Sequence, residues 1–251
     1  MSLRANCVAL WKMNDDAANK IVVDDSDSGN DGEAEQNTDQ LSTAGKIKGA
    51  LIFDPVVPDF ITIADDTFSS LTIGTLAFWV YMDSLVVIAV FCASNLASAS
   101  TYLMLHVDET GRVYFQIRVN GIYKVYQRTV DSVISATTWH FIVLVQDGTA
   151  VKLYVDNVLK ATEDAGITNN APGAFFSDLT GTISNFIGKF DRSVGAGLYW
   201  DGMIDVGVIS DKALPEGEIA FLWNEGNGRE HLGIARPLVG GSLASGRKGL
   251  V

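Results

Sequence analysis

Apolar and polar residues alternate along most of this chain in short runs, separated by Gly, Pro, Asn and Asp. A period of two bounded by turn residues predicts half-buried strands. On that pattern strands are expected at Cys7–Met13, Ala50–Phe53, Phe60–Ile63, Thr75–Tyr81, Val86–Cys92, Tyr102–Val107, Arg112–Val119, Ile122–Thr129, Trp139–Gln146, Val151–Val155 and Val158–Thr162. Asn120-Gly121, Asp147-Gly148 and Asp156-Asn157 supply tight turns, since Gly and Asn enter the left-handed region at little cost. In Trp200–Ser210, strict alternation turns Ile204, Val206 and Val208 one way and Met203, Asp205, Gly207 and Ile209 the other. Asp205 is thus a carboxylate inside a strand built for burial, and a buried charge requires a partner.

The one expected helix runs from Pro215 to about Glu225, with Glu216 and Glu218 in its first turn and Gly226 as its stop. Pro215 stands where a capping serine would serve better. Asp15–Gly45 is polar and acidic and reads as a long loop broken by Ile21–Val23, a length associated with function or mobility. The strand pattern, with a single short helix, predicts an all-β fold: a two-sheet antiparallel β-sandwich over residues 1–233, followed by a Gly-rich tail over 234–251.

Composition narrows the partners. Among 251 residues, a formal net charge of −12 argues against a phosphate-backbone ligand, so no nucleic acid is expected. No apolar run is long enough for a membrane helix, so no membrane insertion is expected. Cys7 and Cys92 form neither a metal pattern nor a disulfide framework and read as buried thiols, with one bridge between them as the alternative. Residues 1–3 lack the regions of a signal peptide.

Three stretches resemble the laminin-G-like, concanavalin A-like jelly rolls. The closing motif of that family, G-x-[IL]-D-E-V … A-L-S-x-x-E-I … L-Y-N-x-G, is matched by Gly202, Ile204, Asp205, Val206, Ala213, Leu214, Glu218, Ile219, Leu222, Trp223, Asn224 and Gly226. Thr137–Thr162 is similar to its W-H … D-G … L-Y-x-D-G block, with Asn157 in place of the last glycine. Ala9–Gly32 and Gly49–Asp54 resemble its opening segments. The resemblance covers Val8 to about Gly228. It implies a jelly-roll sandwich in which the first strand lies beside the closing one.

The resemblance also implies a calcium ion shared by the opening loop and the closing strand, with Asp25 and Asp205 as side-chain ligands and Asn30 as a helper. The loop is one residue shorter than the pattern, leaving Asp24 and Asp27 as alternatives to Asp25, and the Glu that normally follows the strand Asp is missing. Calcium takes 6–8 oxygen ligands in flexible geometry, which such a loop can offer; the other reading is a solvated acidic loop with Asp205 hydrogen-bonded to loop amides.

A second candidate site comes from pairing across Asn120-Gly121. It collects Tyr114, Gln116, Arg118, Tyr123 and Gln127 on one pleat, opposite Val113, Phe115, Ile117 and Val119. Rings for sugar C–H faces beside planar donors for hydroxyls suit a glycan or glycosylated surface. An ordinary solvated sheet face shows the same alternation.

Catalysis is not expected. The paired glutamates of related glucanases and the Gln-x-His strand of alginate-lyase-like relatives are absent, His106, His140 and His231 are scattered, and His140 matches a structural position. The expectation is a non-catalytic carbohydrate-binding or adhesion module, extracellular, cell-surface or virion-associated. The alternative is a particle or appendage component that forms homo-oligomers through its Gly-rich tail.

Overall fold

The computed structural model describes residues 3–167, 171–191 and 197–232. The expected 234–251 tail lies outside them. Within the described residues the chain forms two antiparallel sheets packed face to face, the predicted all-β sandwich.

One sheet has eight strands. Its path runs through Val158–Leu159, Val151–Val155, Trp139–Gln146, Gly74–Met82, Gly202–Ser210, Gly49–Phe53 and Ser42–Ile47, and Cys7–Trp11 pairs beside Gly202–Ser210. The closing strand therefore sits centrally against the first, as the resemblance implied. The other sheet has nine strands, in the order Thr162–Asp164, Ile122–Thr129, Val113–Val119, Tyr102–Val107, Ile88–Ser94, Ser184–Ile187, Ile61–Ile63, Gly32–Ala34 and Ile21–Val22.

The acidic stretch expected as a loop is largely ordered. It holds two short strands, one turn of helix at Thr38–Leu41, and the edge strand Ser42–Ile47. The expected single strand from Val158 to Thr162 is split, and its second part crosses to the nine-strand sheet.

Between the sheets lies a core in which Phe91 meets Phe68, Phe78 and Phe176 at ring separations of 5.9–6.2 Å. The outer face of the eight-strand sheet carries a second apolar layer, because Glu216–Trp223 is helical and seals Trp79, Phe141, Val206 and Val208 beneath Ile219 and Leu222. Trp223 stacks on Trp79 at 5.1 Å.

This second layer explains a departure from strict alternation. The ladder slips between Asp205 and Gly207, and Val206 takes a φ of +36°. A bulge inserts one unpaired residue and reverses the phase of everything after it. Ile204 and Ile209 face the core between the sheets, whereas Val206 and Val208 face the helix. The expected grouping of Ile204 with Val206 and Val208 is thereby corrected. Gly207 is inward, where an added Cβ would stand 2.6 Å from the Phe78 ring.

Cys7 and Cys92 are separate buried thiols, each pushed up to about 12 by burial.

Candidate functional site

The outer face of the nine-strand sheet gathers the aromatic and planar polar groups. Asn120 and Gly121 have φ values of +48° and +84°, the left-handed pair that a two-residue hairpin turn requires. The hairpin they make aligns Tyr114 with Arg128, Gln116 with Tyr126, and Arg118 with Tyr123.

A bulge at Lys124, opposite the Ile117–Arg118 step, shifts the second strand by one residue. Tyr123, Tyr126 and Arg128 consequently share the outer face, while Gln127 pairs with the core residue Phe115 and has its Oε1 buried without a partner. Gln127 was expected on the outer face and belongs to the inner one. Tyr126 and Arg128 were not foreseen. The signal for them was Tyr123-Lys124 ahead of Val125: two outward-type residues in succession mark an inserted position.

The rings form a ladder across three strands. His106 stacks on Tyr114 at 4.7 Å, Tyr114 meets Tyr126 at 6.0 Å, and Tyr126 stacks on Tyr123 at 4.9 Å with planes 12° apart. Its two ends differ in exposure. Tyr114 and Gln116 are 7% and 6% exposed, so they form the floor. Tyr123, Tyr126, Arg118 and Arg128 are half-buried and form the presenting edge.

Arg118 lies over the Tyr123 ring at 5.0 Å and donates through Nε to the Gly121 carbonyl. Arg128 donates to the Tyr114 hydroxyl and to Glu163, both at 2.9 Å. His106 is held neutral, its pKa lowered to about 3 by burial, so the imidazole itself adds no charge beneath the ladder.

A short hairpin, Lys189–Phe190 paired with Leu198–Tyr199, stands over one end of this face. Phe190 meets Tyr102 edge-on at 5.1 Å. The Lys189 ammonium is enclosed by Phe60, Phe186 and Tyr199, with ring centroids at 3.9, 4.8 and 5.8 Å, and pairs with Asp191 at 2.7 Å.

The three residues expected around calcium are not brought together. Trp11 pairs with Gly207 on one edge and with Asp24 on the other, so the first strand stands between the opening loop and the Asp205 strand. Asp25 pairs with Lys12 at 2.8 Å. Asn30 donates its amide to the Val8 carbonyl and receives the Trp11 indole N–H on its own carbonyl.

Asp24, one of the alternatives to Asp25, organises the loop as an acceptor. It takes the Leu10 and Ser26 amides on Oδ1, and the Ser26 hydroxyl and Asn30 amide on Oδ2, all within 2.9 Å. N–H and O–H donors directed at a carboxylate fill the lone pairs a cation would use. Asp27, the other alternative, pairs with Arg4 at the surface. Among the described residues no group of three His, Cys, Asp or Glu side chains is placed to hold a metal ion.

Asp205 is fully buried. Oδ2 accepts the Ile47 amide at 2.7 Å and Oδ1 lacks a partner, while burial, with Glu230 adding to it, raises its pKa to about 7. Glu230 is itself buried against Asn14 and Lys48.

Ser135, His140 and Asp156 are arranged in the sense of a hydrolytic triad: Asp156 Oδ2 to His140 Nδ1 at 2.7 Å, and Nε2 to the Ser135 hydroxyl at 3.0 Å. The Ser135 amide N–H points at the same Nε2 at 3.1 Å, and the Phe141 amide occupies the other Asp156 oxygen. The cluster pins a loop to a hairpin, the structural role expected for His140.

Two antiparallel sheets, a closing strand laid against the first and one short helix on the outer face define a concanavalin A-like domain. Residues 58–220 match the Laminin_G_3 family model, described as the Concanavalin A-like lectin/glucanases superfamily, and the chain belongs to this family. No curated protein sequence matches it.

Among solved structures it is similar to domain 4 of AbnA, a GH43 extracellular arabinanase of Geobacillus stearothermophilus in complex with arabinotriose. That likeness has a TM-score of 0.62 and 16% identity, and covers 89% of this chain and 98% of that one. It is similar also to the Ruminococcus gnavus sialidase CBM40 bound to alpha2,3 sialyllactose, with a TM-score of 0.52, 20% identity and coverage of 61% and 83%. A leech intramolecular trans-sialidase gives 0.51 and 19%, covering 60% of this chain and 23% of that one. At these identities the likeness is one of fold.

Proposed function

We propose that this chain is a non-catalytic carbohydrate-binding module whose ligand lies on the outer face of the nine-strand sheet. The observation that carries the reading is the stacked pair Tyr123–Tyr126, flanked by the Arg118 and Arg128 guanidinium groups above a neutral aromatic floor. Flat rings match the apolar face of a pyranose or furanose, and guanidinium groups donate to its hydroxyls. Chains of the same fold hold arabinotriose and sialyllactose, in keeping with a glycan partner and an extracellular setting.

Hydrolysis finds no support on this face. Glu163 is held by Arg128, and Asp108 Oδ1 accepts the Thr110 and Arg112 amides, so both carboxylates serve local structure, whereas retaining hydrolysis needs a facing pair of carboxyl groups about 5 Å apart.

Titration with a panel of neutral and acidic oligosaccharides, followed by NMR and calorimetry, tests the reading. A binding glycan should move the Tyr123 and Tyr126 resonances. Tyr126→Ala should weaken binding about fivefold, since stacked rings contribute about 1 kcal/mol. Binding unaffected by Tyr126→Ala and by Arg118→Ala would remove this face from consideration.

A further inference from the structure

The opposite outer face, on the eight-strand sheet, holds a feature the glycan reading does not use. Beyond the end of the helix four large side chains stand in direct cross-strand register: Ile52 opposite Met203, Met203 opposite Tyr81, and Tyr81 opposite Trp139. Tyr81 and Trp139 meet at 5.6 Å. Ile52 is 40% exposed and the other three are half-buried, so an apolar row crosses four strands with no element of the described chain laid over it.

Next to this row lies an acidic one. Asp54, Asp201 and Asp83 lie immediately beyond the ends of the strands that carry Ile52, Met203 and Tyr81. Together with Ile52 and Val57 they line one groove of about 480 Å³, whose lining contains no lysine or arginine. The groove thus matches a partner that is apolar and cationic at once.

One segment of this chain has that composition. Residues 233–251, GIARPLVGGSLASGRKGLV, contain Arg236, Arg247 and Lys248 and no carboxylate side chain, within a protein of net charge −12. The described chain leaves the sandwich on this same outer face. Leu232 is buried in the layer beneath the helix, and Glu230 bonds Lys48, which immediately precedes the strand that carries Ile52. From Lys48 to Ile52 is about 13 Å of strand, whereas nineteen residues span up to roughly 60 Å.

We propose that residues 233–251 dock on the Ile52–Met203–Tyr81–Trp139 row of their own copy, with Arg236, Arg247 and Lys248 answering Asp54, Asp83 and Asp201. Tethering makes this an intramolecular contact, so a modest affinity suffices. It also covers exposed apolar surface that is otherwise open to association.

A charge swap in the full chain tests the contact, read from the methyl signals of Ile52 and Met203 and the indole signal of Trp139. Arg236→Glu with Arg247→Glu and Lys248→Glu should shift all three signals and leave Met104, on the other sheet, in place. Asp54→Lys with Asp83→Lys and Asp201→Lys should shift them as well. Combining the two sets should return the signals toward their native positions, and those positions should hold over a hundredfold dilution. Unchanged signals in the first variant, or no recovery in the combined one, would overturn the contact. Signals that move on dilution would overturn the assignment to the same copy. The tyrosine face takes no part in this experiment, so its outcome is independent of any glycan.

Discussion

Asp205 is the residue where cost and structure meet most directly. Its carboxylate is buried with one oxygen unpartnered and Glu230 nearby, and its pKa is raised to about 7 from an ordinary 3.8. The unfolded chain releases this proton near pH 4, while the folded chain keeps it until about 7. Between those values the folded state binds more protons, so this group makes stability fall as pH rises through that window and level off above it. At about 1.36 kcal/mol per pH unit the contribution is of the order of 4 kcal/mol. Asp205→Asn should remove that slope and be more stable than the unsubstituted protein above pH 7, measured by urea unfolding at pH 5 and pH 8. Parallel pH profiles for the two proteins would place the titration elsewhere. That Asp205 is buried was legible in the apolar run around it. Its partner was not, because the Ile47 amide lies 158 residues earlier in the chain and only tertiary folding joins them.

At the scale of elements, most turns and strands were readable, whereas the phase beyond an inserted residue was not. Asn120-Gly121 and Asp156-Asn157 form the left-handed pairs their residue types require. A period of two also locates a strand, but it fixes facing only while no residue is inserted, and both Lys124 and Val206 are insertions. This is why Gln127 changed sides and Tyr126 and Arg128 entered the candidate site. The helix starts as its residues suggest but ends at Trp223, where Asn224 rather than Gly226 takes the left-handed capping position. It begins at Glu216 after Pro215, which offers no side-chain cap, and Glu218 is held by Lys212 at 2.9 Å. Pro215→Ser would supply an oxygen for the Gly217 or Glu218 amide. It should stabilise the protein by about 0.5–1 kcal/mol, or a few degrees in Tm. A melting temperature that is unchanged or lower would show that the proline ring already contributes as much.

For the molecule as a whole, the sandwich separates its two outer faces by a packed core. The tyrosine ladder belongs to the nine-strand sheet and the Ile52 row to the eight-strand sheet, so no side chain of one touches the other. Substitutions that far apart are expected to act additively. Ile52→Ser should leave the affinity for any glycan found by titration within experimental error, and Tyr126→Ala should leave the Ile52 and Met203 methyl signals in place. A change in glycan affinity on Ile52→Ser would reveal communication across the core. The overall architecture was the most legible level, because punctuation and alternation repeat at every strand and one misread phase does not alter the layering.

The extra residue under the tyrosines has a consequence for how such a surface can diversify. Deleting Lys124 would leave Tyr123 outward, Val125 inward and Tyr126 outward, because the inserted position is the one removed. The local twist, the spacing of two parallel rings and the Ala171 amide's bond to the Lys124 carbonyl would change. Gain or loss of a single codon at this point can therefore retune the gap between the rings while every core contact is inherited intact.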